Sequence, residues 1–360
     1  MSPDFHWRQF LGTTLGVAVA LSLLAFTLMV LVDPHDHFSI SLPIKRAPIN
    51  ANQRFSYPTI ARNGNYDSVV LGTSTVRLLK PRMLNEKFGG RFANLAMNSA
   101  TAYEQSRILD LFQRHHEMIR TVIIGIDVVW CETGDAYQKY THREFPEWLY
   151  DDDPWNDYLH VFNGVTLEES IRQLQFVLGR REPKFGFDGY KTFMPDPAEY
   201  DLEKARRNLY GKNGVRPKFT PGNPYIASRE ERASWNFPTH EVLASALESL
   251  PAETLKLVFF VPYHHFLQPT PGTKEAARWR ECKRRITNLT SLVPNSHVLD
   301  FMIESEITRF DKNYWDSLHY TVEIADRIVA LLAEGVRAHR DKPELYRYLG
   351  TGTPAPRGSH

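Results

Sequence analysis

Three residues at opposite ends of the chain have the types that nucleophilic catalysis requires. Ser74 ends a Gly-Thr-Ser turn that follows an apolar run, and Asp316 and His319 form an Asp-x-x-His pattern near the last amphipathic segment. A serine hydroxyl becomes a strong nucleophile when an imidazole accepts its proton and a carboxylate orients that imidazole. The pattern predicts a serine hydrolase or acyltransferase with Ser74 as nucleophile, His319 as base and Asp316 as its orienting partner.

Each motif also has a simpler interpretation. A Gly-Thr-Ser turn is common where a hydroxyl group caps a helix. A second Asp-x-x-His pattern runs from Asp157 to His160. The late copy is favoured because it follows the last predicted strand and precedes the closing helix, which returns it to the sheet edge where Ser74 is expected.

The scaffold that would unite these residues can be read from short apolar runs. Most of them are continuous rather than alternating, as expected of strands that are covered on both faces. The predicted strands are 68–71, 91–95, 121–126, 255–262 and 297–301. Helical patterns at 103–119, 274–292 and 322–339 separate or follow them. This alternation predicts an α/β fold, a three-layer α/β/α sandwich with a mostly parallel sheet of about five strands.

A transmembrane helix is expected ahead of this domain. Leu11 to Val32 contains no charged residue, and as a helix it would be about 33 Å long, enough to cross a bilayer. A cleaved signal peptide is the alternative, but its apolar region would be shorter. Lys45, Arg46 and Arg54 follow the span, whereas only Arg8 precedes it, so the positive-inside rule does not favour an external domain.

Charge and cysteine content indicate which partners to expect and whether a disulfide can form. The net charge is +1 and the basic residues are scattered along the sequence, which predicts no nucleic-acid partner. The two cysteines, Cys131 and Cys282, would form one disulfide in an exported domain, or remain two buried thiols.

Segments of different composition define the expected organisation. A long aromatic-rich stretch interrupts the strand and helix alternation and is read as an insertion that shapes the substrate site. The predicted parts are a short tail (1–10), the anchor (11–32), a linker (33–57), the α/β domain (58–131 and 251–345), the insertion (132–250) and a flexible tail or tag remnant (346–360).

Four short sequence blocks resemble those of the SGNH/GDSL hydrolase superfamily in its usual order. They are Ser74 after the first strand, 94–100 after the second, Asp127 after the third, and Asp316 with His319 before the last helix. The resemblance implies the flavodoxin-like fold of that superfamily. With the single span, the chain resembles bacterial membrane-anchored SGNH-like proteins of the cell envelope, to which D-alanyl transfer and alginate O-acetylation proteins are analogous.

The resemblance also implies a location, a substrate class and partners. The protein would be a single-pass protein of the bacterial inner membrane with its domain on the periplasmic or extracellular side. It would act on acyl groups, most often acetyl, of an envelope polysaccharide or glycolipid. Hydrolysis and transfer remain alternatives, and a transferase would need a membrane-bound O-acyltransferase as donor partner. No cofactor and no metal are implied.

The second and third blocks depart from the family pattern. The family has a glycine in block two and an asparagine in block three, whose N–H groups help to form the oxyanion hole; here Ser99 and Asp127 stand near those positions. An ionised carboxylate beside an oxyanion would repel it, and loss of one donor typically costs about 10²- to 10³-fold in rate. Asp127 would be protonated or turned away, Asn98 would replace it as donor, or the enzyme would be slow.

Two further residues are candidates for substrate contact. His264 closes the fourth strand on the same edge as Ser74, and Arg77 follows the nucleophile turn, where it would hold an anionic group or cap a helix.

Two other function classes remain open. One is a weak or inactive SGNH-like domain that binds glycan or scaffolds an envelope assembly, which Asp127 favours. The other is a metal-dependent hydrolase built on histidines.

Overall fold

A computed structural model describes residues 3–151, 153–217 and 223–352. The chain forms two compact units. The first combines residues 1–59 with 146–187, and the second combines 60–145 with 188–360. The boundaries at 146 and 187 fall inside the predicted insertion, 132–250.

The second unit contains a six-stranded sheet, so the α/β class and the mostly parallel sheet are confirmed. The strands are β1 Ser68–Leu71, β2 Phe92–Asn94, β3 Thr121–Ile126, β4 Leu255–Phe260, β5 Ser296–Asp300 and β6 Arg347–Thr351. Their order is β2-β1-β3-β4-β5-β6, and the first five are parallel. Nearly every residue of β1 to β5 is buried, which is why these strands read as continuous apolar runs.

The described residues form eleven α-helices. They are α1 Pro3–Val32, α2 Gln53–Ala61, α3 Pro81–Phe88, α4 Ala102–Arg114, α5 Pro154–Val161, α6 Gly164–Val177, α7 Leu202–Tyr210, α8 Arg229–Ser234, α9 Thr239–Glu248, α10 Lys274–Ser291 and α11 Val322–Ala338. In the second unit α3 packs against α11, and α4 and α10 both pack against α9. The predicted helix 103–119 ends earlier, at Arg114, and the predicted linker 33–57 overlaps the start of α2.

Strand β6 corrects the expectation of a flexible tail from residue 346 onward. It pairs antiparallel with β5, and Tyr348 lies opposite Leu299 in the register. The pairing covers the backbone hydrogen-bonding groups of β5, which would otherwise be an open sheet edge. Residues 353–360 of the predicted tail lie outside the described residues.

The first unit is built around the end of helix α1. Among the described residues α1 is the one helix long and apolar enough to cross a membrane, over His6–Val32, and a signal sequence would meet the same criteria. Its last turns are not free, because Met29 and Val30 form a core with Phe38 and Val161. Helices α5 and α6 therefore pack against the end of the apolar helix.

A disulfide joins Cys131 to Cys282 in the second unit, with Cα atoms 5.6 Å apart. Of the two alternatives left by the sequence, the structure has the bond. It links the segment that follows β3 to helix α10, across 151 residues of sequence. A cross-link over so long a loop typically stabilises a domain by about 2–5 kcal/mol.

Candidate functional site

The nucleophile turn lies at the carboxyl end of β1. The Met97 N–H donates to the Gly72 carbonyl oxygen over 3.1 Å, which joins this turn to the segment after β2. Gly72 has φ 154°, and a Cβ there would lie 2.5 Å from Val76 Cγ2, so a larger residue would not fit without movement. The turn thus presents Ser74 at the edge where the parallel strands end.

The structure brings Ser74, His319 and Asp316 together. His319 Nε2 lies 2.8 Å from Ser74 Oγ, and His319 Nδ1 lies 2.8 Å from Asp316 Oδ2. All three side chains are partly exposed to solvent. The distances are those of hydrogen bonds from nucleophile to base and from base to carboxylate, so the arrangement can perform nucleophilic catalysis.

A local turn holds the Asp-x-x-His segment in place. Asp316 Oδ1 accepts hydrogen bonds from the backbone N–H groups of Leu318 and His319, each over 2.9 Å. Burial alone would raise the pKa of Asp316, but its hydrogen bond with His319 and the charge of that ring outweigh burial, so the pKa is lowered. Asp316 therefore remains ionised and fixes the His319 tautomer with hydrogen on Nδ1.

Asp127 lies beside the nucleophile turn rather than open to solvent. Its carboxylate accepts hydrogen bonds from the hydroxyls of Thr73 and Thr75, which flank Ser74, and from the Val129 N–H over 3.2 Å. Burial raises the pKa of Asp127 to about 6, although these hydrogen bonds lower it. Asp127 thus anchors the turn through two threonines, a role that the sequence reasoning did not consider.

Ser99 adopts the backbone conformation that favours glycine. Its φ is 53°, in the left-handed region. A glycine at this position would therefore adopt the same backbone conformation without strain. Ser99 lines a cavity of about 300 Å³ together with polar residues that include Thr101, Glu132 and Tyr137.

Asn98 and Arg77 form a contact with each other. Arg77 Nη1 donates to Asn98 Oδ1 over 2.8 Å, which orients the oxygen of the Asn98 amide toward Arg77. Arg77 is buried, and its guanidinium lies 4.9 Å from the centre of the Phe193 ring. Its contacts are therefore with protein groups around the turn.

His264 supports the segment that carries the triad histidine. Its backbone N–H donates to the Ser317 carbonyl oxygen over 3.0 Å. The side chain is buried, Nδ1 accepts from the Phe266 N–H, and Nε2 lies 3.4 Å from Asp311 Oδ1. Burial lowers the pKa of His264 to about 4. The described contacts of His264 do not reach Ser74 or His319.

Phe193 is a site residue that the sequence reasoning missed. Its ring lies edge-on to His319, with ring centres 5.1 Å apart and an interplanar angle of 87°. This contact packs part of the aromatic-rich stretch against the His319 imidazole. The abundance of aromatic residues there was the only signal, and it identified no particular ring.

The described residues contain no group of three or more His, Cys, Asp or Glu side chains arranged to hold a metal ion. No protein-family model matches this chain, and no curated protein matches it.

Proposed function

We propose that this protein is a membrane-anchored serine esterase or O-acyltransferase of SGNH type that acts on acyl groups of a cell-envelope polysaccharide or glycolipid. One observation carries the proposal: Ser74 Oγ, the His319 ring and the Asp316 carboxylate form a continuous hydrogen-bonded chain. Acetyl is the expected acyl group because the resembling proteins most often transfer or remove it.

The proposed reaction has the steps of a serine hydrolase. Ser74 Oγ attacks the ester carbonyl carbon as its proton passes to His319 Nε2, and Asp316 stabilises the imidazolium that results. His319 then donates this proton to the leaving sugar oxygen, which leaves an acyl group on Ser74. Water, or a sugar hydroxyl in the transferase, attacks the acyl-enzyme as His319 removes its proton. His319 returns this proton to Ser74 Oγ, and the acyl group leaves as a carboxylic acid or a new sugar ester.

The oxyanion would be held by backbone groups. The N–H groups of Ser74 and Ser99 are the proposed donors, and the left-handed conformation of Ser99 supports this assignment. Asp127 supplies no donor when ionised. Its protonated form, which its raised pKa favours below about pH 6, removes the unfavourable charge next to the turn.

The finer architecture and location belong to the same proposal. We infer a three-layer α/β/α sandwich of the flavodoxin-like SGNH type, anchored in the bacterial inner membrane by one span within 11–32, with the domain on the periplasmic or extracellular side. The Cys131–Cys282 disulfide supports this side because disulfides persist in oxidising compartments. A transferase would receive its acyl group from a membrane-bound O-acyltransferase.

A fluorophosphonate probe tests the proposal without knowledge of the substrate. The full-length protein in detergent micelles should form a covalent adduct at Ser74, detected by mass spectrometry, and Ser74→Ala should form none. Ser99→Gly is the matched control, because glycine suits the left-handed conformation there and should keep the labelling.

A second candidate function is a catalytically weak or inactive SGNH-like subunit that binds glycan or scaffolds an envelope assembly. Asp127 favours it, because a carboxylate stands where the family has an amide donor. Absence of an adduct at Ser74 in folded protein would favour this function over the first.

A further inference from the structure

A basic groove lies between helices α8 and α10 in the second unit. Its volume is about 850 Å³, and five arginines line it against a single acidic residue, Glu281. The arginines are Arg229, Arg232, Arg280, Arg284 and Arg285. The whole chain carries a net charge of only +1. The fold brings two arginines of α8 to three that are already close together in the sequence of α10.

Part of this arginine cluster is fixed by the protein. Arg285 donates to the carbonyl oxygens of Trp235 and Arg232 over 2.8 and 2.6 Å, and its Nε donates to Glu281. The hydrogen bond from Arg284 is the main cause that lowers the pKa of the largely buried Glu281 to about 2. Glu281 therefore stays ionised and holds Arg284 and Arg285 in position.

Two other arginines of the groove are available to a ligand. Arg229 and Arg280 are exposed, and neither has an acidic partner within the described ranges of the chain. Glu231 of α8 does not line the groove and binds Lys274 over 2.9 Å instead. The groove consequently keeps an excess of positive charge that calls for an anion.

The arginines are spaced by about one helical turn on each side. Arg280 and Arg284 stand four residues apart on α10, and Arg229 and Arg232 stand three apart on α8, so the members of a pair are separated by about 4.5–6 Å along the helix. This interval is comparable to the length of one sugar residue in an extended polysaccharide. Tyr225 and Ile226 also line the groove and offer apolar surface for a sugar ring.

We propose that this groove binds an anionic glycan in which successive sugars carry a carboxylate. The planar guanidinium group matches a carboxylate in two parallel hydrogen bonds. The distribution of arginines over two helices favours a ligand with several charges over a single small anion. A glycan is favoured over a nucleic acid because the disulfide indicates an oxidising compartment. The site does not depend on Ser74 chemistry.

Calorimetric titration with hexagalacturonate tests this site on the full-length protein in detergent micelles at low ionic strength. We expect Arg229→Ala/Arg280→Ala to weaken binding by about tenfold or more, because two charge-assisted contacts are lost. Both residues are exposed, so the variant should fold, which its circular dichroism will verify. Binding should weaken as salt is added.

Three comparisons make the result decisive. Arg337→Ala/Arg340→Ala removes the same charge from an exposed site on and just after α11 and should bind like the wild type. Maltohexaose, a neutral glycan of equal length, should not bind. Ser74→Ala should bind hexagalacturonate unchanged, which separates this proposal from the catalytic one.

The proposal is overturned if hexagalacturonate does not bind or if both double variants weaken it equally. It is also overturned if a single-stranded hexathymidylate binds more tightly than hexagalacturonate and loses this binding in Arg229→Ala/Arg280→Ala, which would assign the groove to nucleic acid.

Discussion

The two Asp-x-x-His segments of this chain are alike in sequence and different in structure. In the second unit Asp316 bonds to its own neighbour His319, which reaches Ser74. In the first unit Asp157 is buried and pairs with His37, while His160 is exposed and stacks on Trp148.

The difference arises from the local backbone. Asp316 and His319 lie in a turn that the carboxylate itself closes through backbone N–H groups. Asp157 and His160 lie in helix α5, where packing places one inside and the other outside. In the Asp316 segment the turn brings the carboxylate next to the imidazole, and a serine hydroxyl lies within reach of that imidazole. Nucleophilic catalysis requires this arrangement, which the Asp157 segment lacks.

Removal of each histidine in turn gives the strongest test of the difference between the two segments. His319→Ala should lower the rate of fluorophosphonate labelling by about 10⁴- to 10⁶-fold, because Ser74 loses its base. His160→Ala should label at the wild-type rate. The rates are measured by time-resolved adduct formation; equal rates in the two variants would show that the geometry around His319 has no catalytic meaning.

The two aspartates provide the next comparison. Asp316→Asn should reduce labelling by about 10³- to 10⁴-fold, because an amide can favour the wrong tautomer of His319. Asp157→Asn should leave the rate of labelling unchanged while it lowers the melting temperature, because a buried partner of His37 is altered. A large loss of labelling in Asp157→Asn with unchanged melting would contradict the assignment.

The disulfide cross-links the second unit only, since the chain has no cysteine outside that unit. The double variant Cys131→Ser/Cys282→Ser should lower the free energy of unfolding by about 2–5 kcal/mol. Urea denaturation monitored by fluorescence measures this change. Reducing agent should destabilise the wild type to the same degree and leave the variant unaffected; a wild type insensitive to reduction would argue against the bond.

Substitution of Asp127 has the smallest expected effect. The pKa of Asp316 is lowered, whereas the pKa of Asp127 is raised. Its pKa of about 6 in the folded protein lies above the ordinary value of 3.8, so its contribution to stability is present at low pH and is lost as the pH rises through about 6. We expect Asp127→Asn to be more stable than the wild type by about 1–3 kcal/mol at pH 8. The two proteins should differ little at pH 4.

Unfolding free energies across this pH range provide the measurement for Asp127→Asn. Thr75→Val serves as a control, since it removes one hydrogen bond to the carboxylate and keeps the charge. A stability difference that does not depend on pH would show that the charge of Asp127 is not responsible.

The sheet was predictable because its strands are buried on both faces. The predicted limits of β1 and β3 match the structure, since continuous β-branched runs leave few alternatives. Ser74, Asp316 and His319 could be chosen from their order relative to these strands, because parallel strands bring their carboxyl ends to one edge.

Other features depend on contacts between residues far apart in the chain, and the sequence pattern predicts them poorly. Strand β6 is short and half-exposed, so its apolar signal is weak, and only the edge of β5 explains its formation. The pairing of His37 with Asp157 spans 120 residues. The basic groove combines arginines of α10 with those of α8, and the sequence does not indicate that these two helices lie side by side.

The packing at the end of α1 has a practical consequence for production of the protein. Removal of residues up to Val32 would take Met29 and Val30 away from Phe38 and Val161 and expose apolar surface. A shortened version that begins near Ala25 would retain these contacts while it discards the most hydrophobic and exposed turns. The border between the exposed and the packed part of the helix therefore lies about two turns before its end.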